Sequence, residues 1–194
     1  MRILGIDYSL NGTGLSVYDG LEIVFKKVFT VTKKLYEQDK NTFILSPKFK
    51  NYEYKIDWVV DNIINCTDYD FVCIEDHIGS YYNWMDGYGI IRHYLRKNNK
   101  PYIMISPTQL KKYAGTGKAD KDKMTALLKQ EYGFDLEYIG RLANNIVDAT
   151  WLAIVGFDYY ERFKLNKHTT NKERTKILDL IYEKESKLGN TDER

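Results

Sequence analysis

Two apolar runs in this chain end on an acid: RILGID closes on Asp7 and FVCIE closes on Glu75. Short continuous apolar runs of this kind read as buried strands. A carboxylate at the end of a buried strand is costly unless it meets something cationic. A third segment, NNIVDATWLA, reads as a helix that carries Asn145 and Asp148 three residues apart, and therefore on one face. The chain is thus constrained to a fold that brings two strand ends under one helix. Oxygen donors gathered in that way point to a divalent-metal site suited to phosphodiester chemistry, with Mg2+ as the ion in a two-ion arrangement.

The surrounding pattern fits an α/β domain. SLNGTG after the first strand makes a tight turn, and LSVYDG and EIVFKKVFTV read as a second and third strand joined at Asp19-Gly20. Residues 33–51 show little periodicity and read as a loop or partly ordered excursion. Ile56, Val59, Val60 and Ile63 recur at helical spacing. Asp70–Glu75 is the fourth strand, a helix is expected at about 88–98, and PYIMIS is the fifth strand. Ser106 or Thr108 caps a Pro-led helix, and Asp120 caps the helix that follows a basic loop. A long core helix spans about 144–163, with Ile146, Ala149, Leu152, Ala153 and Gly156 on its packed side. The expected architecture is a mixed five-stranded sheet, three antiparallel strands followed by parallel ones, flanked by helices. Residues 1–163 form that domain, and 164–194 are a charged peripheral helix or frayed tail with one amphipathic stretch at Ile177, Leu180 and Ile181.

The totals narrow the class. The chain has 194 residues and a formal charge of +2, too small to diagnose a polyanionic partner. Distribution says more: from Arg92 to Lys123 there are nine Lys or Arg against two acids, a local excess of +7. A basic stretch on a near-neutral protein resembles a phosphate-backbone footprint, against the plainer reading of a solvated helix face. Within it, Lys111 and Lys112 lie on one expected helix, and Lys118, Lys121 and Lys123 lie in or beside the loop GTGKADKDK. Lys118 and Lys121 are placed to touch phosphates near a helix N-terminus. Tyr81, Tyr82 and Trp84 form an aromatic cluster soon after Glu75, suited either to stacking on bases or to covering the core. Two cysteines in apolar surroundings match neither a disulfide framework nor a zinc site and imply a reducing compartment. The N-terminus starts on a strand and leaves no room for a signal peptide, and no run is long enough to span a bilayer. Together with a Tyr-, Asn-, Lys- and Ile-rich composition, this points to a cytoplasmic protein of an AT-rich bacterium or phage.

The motifs carry a resemblance. ILGIDYSLNGTGLSVYD, VCIEDH, SPTQLKKYAGTGKADKDKM and NNIVDATWLA resemble the acidic strands, basic loop and final helix of the RuvC-type Holliday junction resolvases, members of the RNase H-like superfamily. The resemblance covers roughly residues 1–160. It implies a homodimeric, Mg2+- or Mn2+-dependent endonuclease that binds four-way DNA junctions and nicks two symmetric strands. It implies that Asp7, Glu75 and Asp148 are three acids of the metal site and that Lys121 contacts the reacting strand, with Lys111 a second basic contact. A wedge near the second acid falls on Ile78 or on Tyr81 and Tyr82.

Asn145 departs from the family, which places its remaining carboxylate there. An amide is a neutral and weaker ligand for a hard dication. Either an engineered Asp→Asn change holds an otherwise intact nuclease at the binding step, the reading preferred on sequence, or Asn is natural and the chain is a slow or non-catalytic junction binder. Asn145 also has a plainer use as the N-cap of its helix.

Overall fold

The structure is a computed structural model that describes residues 1–76, 82–115, 120–135, 143–167 and 171–187, without the side chains of 82–85 and 143. Its centre is a six-stranded sheet in the order β4-β3-β2-β1-β5-β6. The strands are β1 (Ile3–Asp7), β2 (Gly14–Tyr18), β3 (Ile23–Thr30), β4 (Phe43–Leu45), β5 (Phe71–Glu75) and β6 (Tyr102–Ile105). β1, β2 and β3 form an antiparallel meander, and β5 and β6 extend it in parallel from β1. The expected count of five strands is corrected to six. β4 lies inside the stretch read as a loop and pairs parallel with β3 at the sheet edge. It is only three residues long, below the length at which alternation becomes readable. The same stretch also holds a short helix, α1 (Lys33–Gln38).

Period-2 alternation sorts the strands onto two faces. Leu4, Ile6, Val72, Ile74 and Met104 enter one apolar cluster, beneath α2 (Tyr52–Ile64) and α3 (Tyr82–Lys97). Ile3, Phe71, Cys73, Ile103 and Ile105 enter the other, beneath α4 (Pro107–Ala114), α5 (Lys121–Tyr132), α6 (Ala143–Lys164) and α7 (Lys172–Lys187). Both faces being covered explains why β1 and β5 read as continuous apolar runs. On the same alternation Asp7 and Glu75 fall on the α6 face. α3 begins at Tyr82, earlier than the expected 88, and Ile90 is exposed while Tyr88, Ile91 and Leu95 are buried.

α6 is 22 residues long and nearly all of its apolar side chains are buried, because it lies between the sheet and the outer helices. It approaches β1 and β2 very closely. A Cβ on Gly5 would stand 1.9 Å from the Ala149 carbonyl oxygen, and one on Gly14 would stand 2.0 Å from the Asn145 carbonyl oxygen. Only glycine admits that approach. The tail contains α7, whose buried apolar positions are Ile177, Leu178 and Ile181, while Leu180 of the expected stripe points outward. Among the described residues, no helix is long and apolar enough to cross a membrane.

Candidate active site

The ends of β1 and β5 define the site. The two strands pair in parallel with Ile6 opposite Ile74, so the next residues, Asp7 and Glu75, lie side by side at the carboxyl end. The chain departs from β1 toward β2 on one side and meets β5 on the other. This is the kind of switch point where open α/β sheets place their ligands. Asp148 comes down from α6 above this point, one residue before the Ala149 that packs on Gly5. All three carboxylates are withdrawn from water, with Asp7, Glu75 and Asp148 only 8%, 6% and 7% exposed.

Lys121 completes the group. Asp120 caps α5 by accepting from the Lys123 amide at 2.9 Å, which sets Lys121 as the first helical residue. Its ammonium forms an ion pair with Asp148. Burial draws the Lys121 pKa below the ordinary lysine value; the charges of Asp7 and Glu75 push it back up, and Lys111 lowers it further. The three acids and Lys121 are therefore one electrostatic unit, with Lys111 at its border. α5 is itself fixed to α6 by a hydrogen bond from Trp151 Nε1 to the Met124 carbonyl at 3.1 Å.

Asn145 shares the site-facing side of α6 with Asp148, but its amide nitrogen donates to the Gly12 carbonyl in the β1–β2 turn. The helix begins at Ala143, so Asn145 lies inside its first turn and is not the N-cap. The turn is otherwise closed by its own side chains, with Gly12 N donating to Ser9 Oγ at 3.0 Å and Thr13 Oγ1 donating to the Ser9 carbonyl. Asn145 thus ties this turn to α6.

Two supports escaped the sequence reading. Tyr88 of α3 donates its hydroxyl to the Glu75 carbonyl, and its ring meets Tyr8 edge-on at 5.1 Å. Lys184 of α7 pairs with Asp76 at 2.8 Å, immediately after Glu75. Neither contact has a local sequence signature. Of the expected nucleic-acid contacts, Lys111 is half-buried on α4, and Lys112 and Lys123 are exposed. Ile78, Tyr81 and Lys118, and the side chain of Tyr82, lie outside the described residues.

The donor chemistry fits a hard divalent cation, since three carboxylates on three rigid elements supply oxygen ligands at one end of the sheet. Among the described residues, no group of three or more His, Cys, Asp or Glu side chains is already arranged to hold an ion. The cation that Asp148 holds is Lys121.

A mixed sheet of this order, covered by helices on both faces, is an RNase H-like fold. Comparison with solved structures narrows the likeness to RuvC. The chain is similar to Thermus thermophilus RuvC, with a TM-score of 0.60 at 15% identity, covering 84% of this chain and 97% of that one. The T. thermophilus RuvC in complex with a Holliday junction substrate matches equally, with a TM-score of 0.60, 16% identity and coverage of 84% and 96%. A looser likeness joins it to the yeast mitochondrial Holliday junction resolvase Ydc2, with a TM-score of 0.49, 12% identity and coverage of 96% and 84%. No protein-family model matches the sequence, and no curated protein does. At these identities the likeness is one of fold.

Proposed function

We propose that this protein is a divalent-metal-dependent endonuclease that resolves four-way DNA junctions by paired nicks. The observation that carries the proposal is the convergence of Asp7, Glu75, Asp148 and Lys121 at one end of a RuvC-like sheet. Asp7, Glu75 and Asp148 would hold Mg2+ or Mn2+, with Asn145 at the margin as a neutral oxygen donor. When bound, the metal supplies the Lewis acidity that activates water and stabilises the leaving oxygen.

The chain's own groups do the rest. Burial of the three carboxylates strengthens their electrostatic interactions by excluding water. Lys121, which pairs with Asp148, would contact the phosphate of the reacting strand if that carboxylate were engaged by a metal ion. Lys111, Lys112, Lys118 and Lys123 are proposed to contact the DNA backbone, a kind of contact that carries no sequence information of its own. Ile78, Tyr81 and Tyr82 are proposed to wedge into the branch point. A homodimer presents two such sites to the two-fold symmetric junction.

The decisive experiment compares nicking and gel shift on a synthetic four-way junction and on linear duplex of the same sequence, in Mg2+ and in Ca2+. Junction-selective binding in both ions is expected, with nicking confined to Mg2+ and given or greatly increased by Asn145→Asp. Asp7→Asn, Glu75→Gln and Asp148→Asn should each abolish nicking while leaving the shift. Equal affinity for both substrates would sink junction selectivity. A second reading, a non-catalytic junction-binding module of the same fold, is favoured by the amide at Asn145. Binding without nicking, restored by Asn145→Asp, would point to the held nuclease, whereas binding without nicking in both proteins would select the module.

A further inference from the structure

The charged C-terminal segment reaches the neighbourhood of the acid group on the face of the sheet that α6 also covers. α7 buries Ile177, Leu178 and Ile181 against the cluster that also holds Ile103, Ile105 and Trp151. At its N-terminal end, Arg174 donates to the Tyr113 carbonyl at 3.1 Å and to Tyr132 Oη at 3.2 Å, and pairs with Glu131 at 2.5 Å. Its guanidinium also lies over the rings of Tyr113 and Trp151. At the other end, two successive residues grip the sheet. Glu185 is fully buried and accepts from the Met104 amide of β6 at 3.3 Å. Lys184 pairs with Asp76 at 2.8 Å, and the Asp76 amide donates to the Ile105 carbonyl at 2.7 Å.

We propose that α7 is a positioning element for the acid group. In this arrangement Lys184, by holding Asp76, fixes the chain's departure from β5, so that Glu75, and not the adjacent Asp76, faces Asp7 and Asp148. The argument rests on the metal-dependent reading of that group. Two consecutive acids at a strand end are ambiguous as ligands. An ammonium committed to the second removes the ambiguity, and the Asp76–Ile105 backbone bond keeps the pairing of β5 with β6 intact up to the site. Outer groups that orient a ligand without touching the ion act in this way, and their loss typically costs 10–100-fold in metal affinity or activity.

The test measures Mn2+ binding to the DNA-free protein by calorimetry, alongside the Mn2+ concentration that half-saturates nicking. Lys184→Met should raise the Mn2+ Kd and the half-saturating Mn2+ concentration each by roughly tenfold, with the melting temperature little changed. Lys184→Arg should stay close to wild type. Asp76→Asn should match Lys184→Met, and the double variant should be no worse than either single, as two halves of one contact require. Hydrogen exchange adds a metal-free readout: the Asp76 amide should lose protection in Lys184→Met and keep it in Lys184→Arg. A Lys184→Met protein with lower melting temperature but unchanged Mn2+ affinity and unchanged Asp76 protection would overturn the positioning role and leave the nuclease reading standing. Absence of Mn2+ binding by the wild-type protein would instead overturn the metal reading and the positioning role with it.

Discussion

Asn145 illustrates how one side chain serves two elements at once. Its nitrogen donates to the Gly12 carbonyl across a sequence separation of 133 residues, a bond that an ionised aspartate cannot make. Asn145→Asp would set a carboxylate against that carbonyl and leave the pair unmatched, at a cost of about 1–3 kcal/mol. It would also add the carboxylate that a dication prefers. The expected outcome is a variant that melts below wild type in EDTA and regains more stability than wild type when Mn2+ is added, read by thermal denaturation with and without the ion. No metal-dependent difference between the two proteins would place Asn145 outside the metal's reach. At this scale Asp7, Glu75 and Asp148 were legible because each interrupts an apolar pattern where a buried element ends or faces its neighbour. Tyr88 and Lys184 were not, since what they do depends on which distant backbone they meet.

Among the elements, α6 governs the site. Its contact with β1 is made through Gly5, where an added methyl would overlap the Ala149 carbonyl at 1.9 Å and the Ala153 nitrogen at 2.6 Å. Both atoms are backbone, so relief requires α6 to move away from the strand, carrying Asp148 with it. Gly5→Ala is therefore expected to destabilise the protein by about 1–3 kcal/mol or more, measurable as a lower urea midpoint, and to impair nicking beyond what the remaining folded fraction explains. A variant with wild-type midpoint and activity would show that the helix can be displaced without consequence. The long core helix was readable from its small and apolar spacing, as were the meander and the two caps at Ser106 and Asp120. β4 and α1 escaped because three to six residues are too few for a period to show. α7 was ambiguous because its buried positions are thinly spread among charges.

Across the whole molecule, tyrosine burial gives the fold a pH signature. The chain has 17 tyrosines. Burial pushes the phenols of Tyr18 and Tyr69 up to about 12, and those of Tyr8, Tyr113, Tyr132 and Tyr159 upward as well. A folded-state pKa above the unfolded value means that the native state holds its protons longer. The stability associated with that difference is complete below about pH 10 and is lost as pH rises toward 12. Absorbance at 295 nm should therefore show an early class of exposed tyrosines titrating near 10, then a later class that ionises together with loss of far-UV circular dichroism. A single early transition for all tyrosines, with structure retained, would contradict the buried assignment. The strand alternation that turns Asp7 and Glu75 toward α6 was visible in the apolar runs, which is why the overall architecture followed from the sequence more readily than its edges did.

The order in which the chain is made adds a consequence. The acids of β1 and β5 precede α6, and α6 supplies both the surface that fits over Gly5 and the carboxylate of Asp148. A nascent chain that stops before residue 143 holds Asp7 and Glu75 without α6 above them and without Asp148. Synthesis thus withholds the convergence of the three carboxylates until α6 has been made.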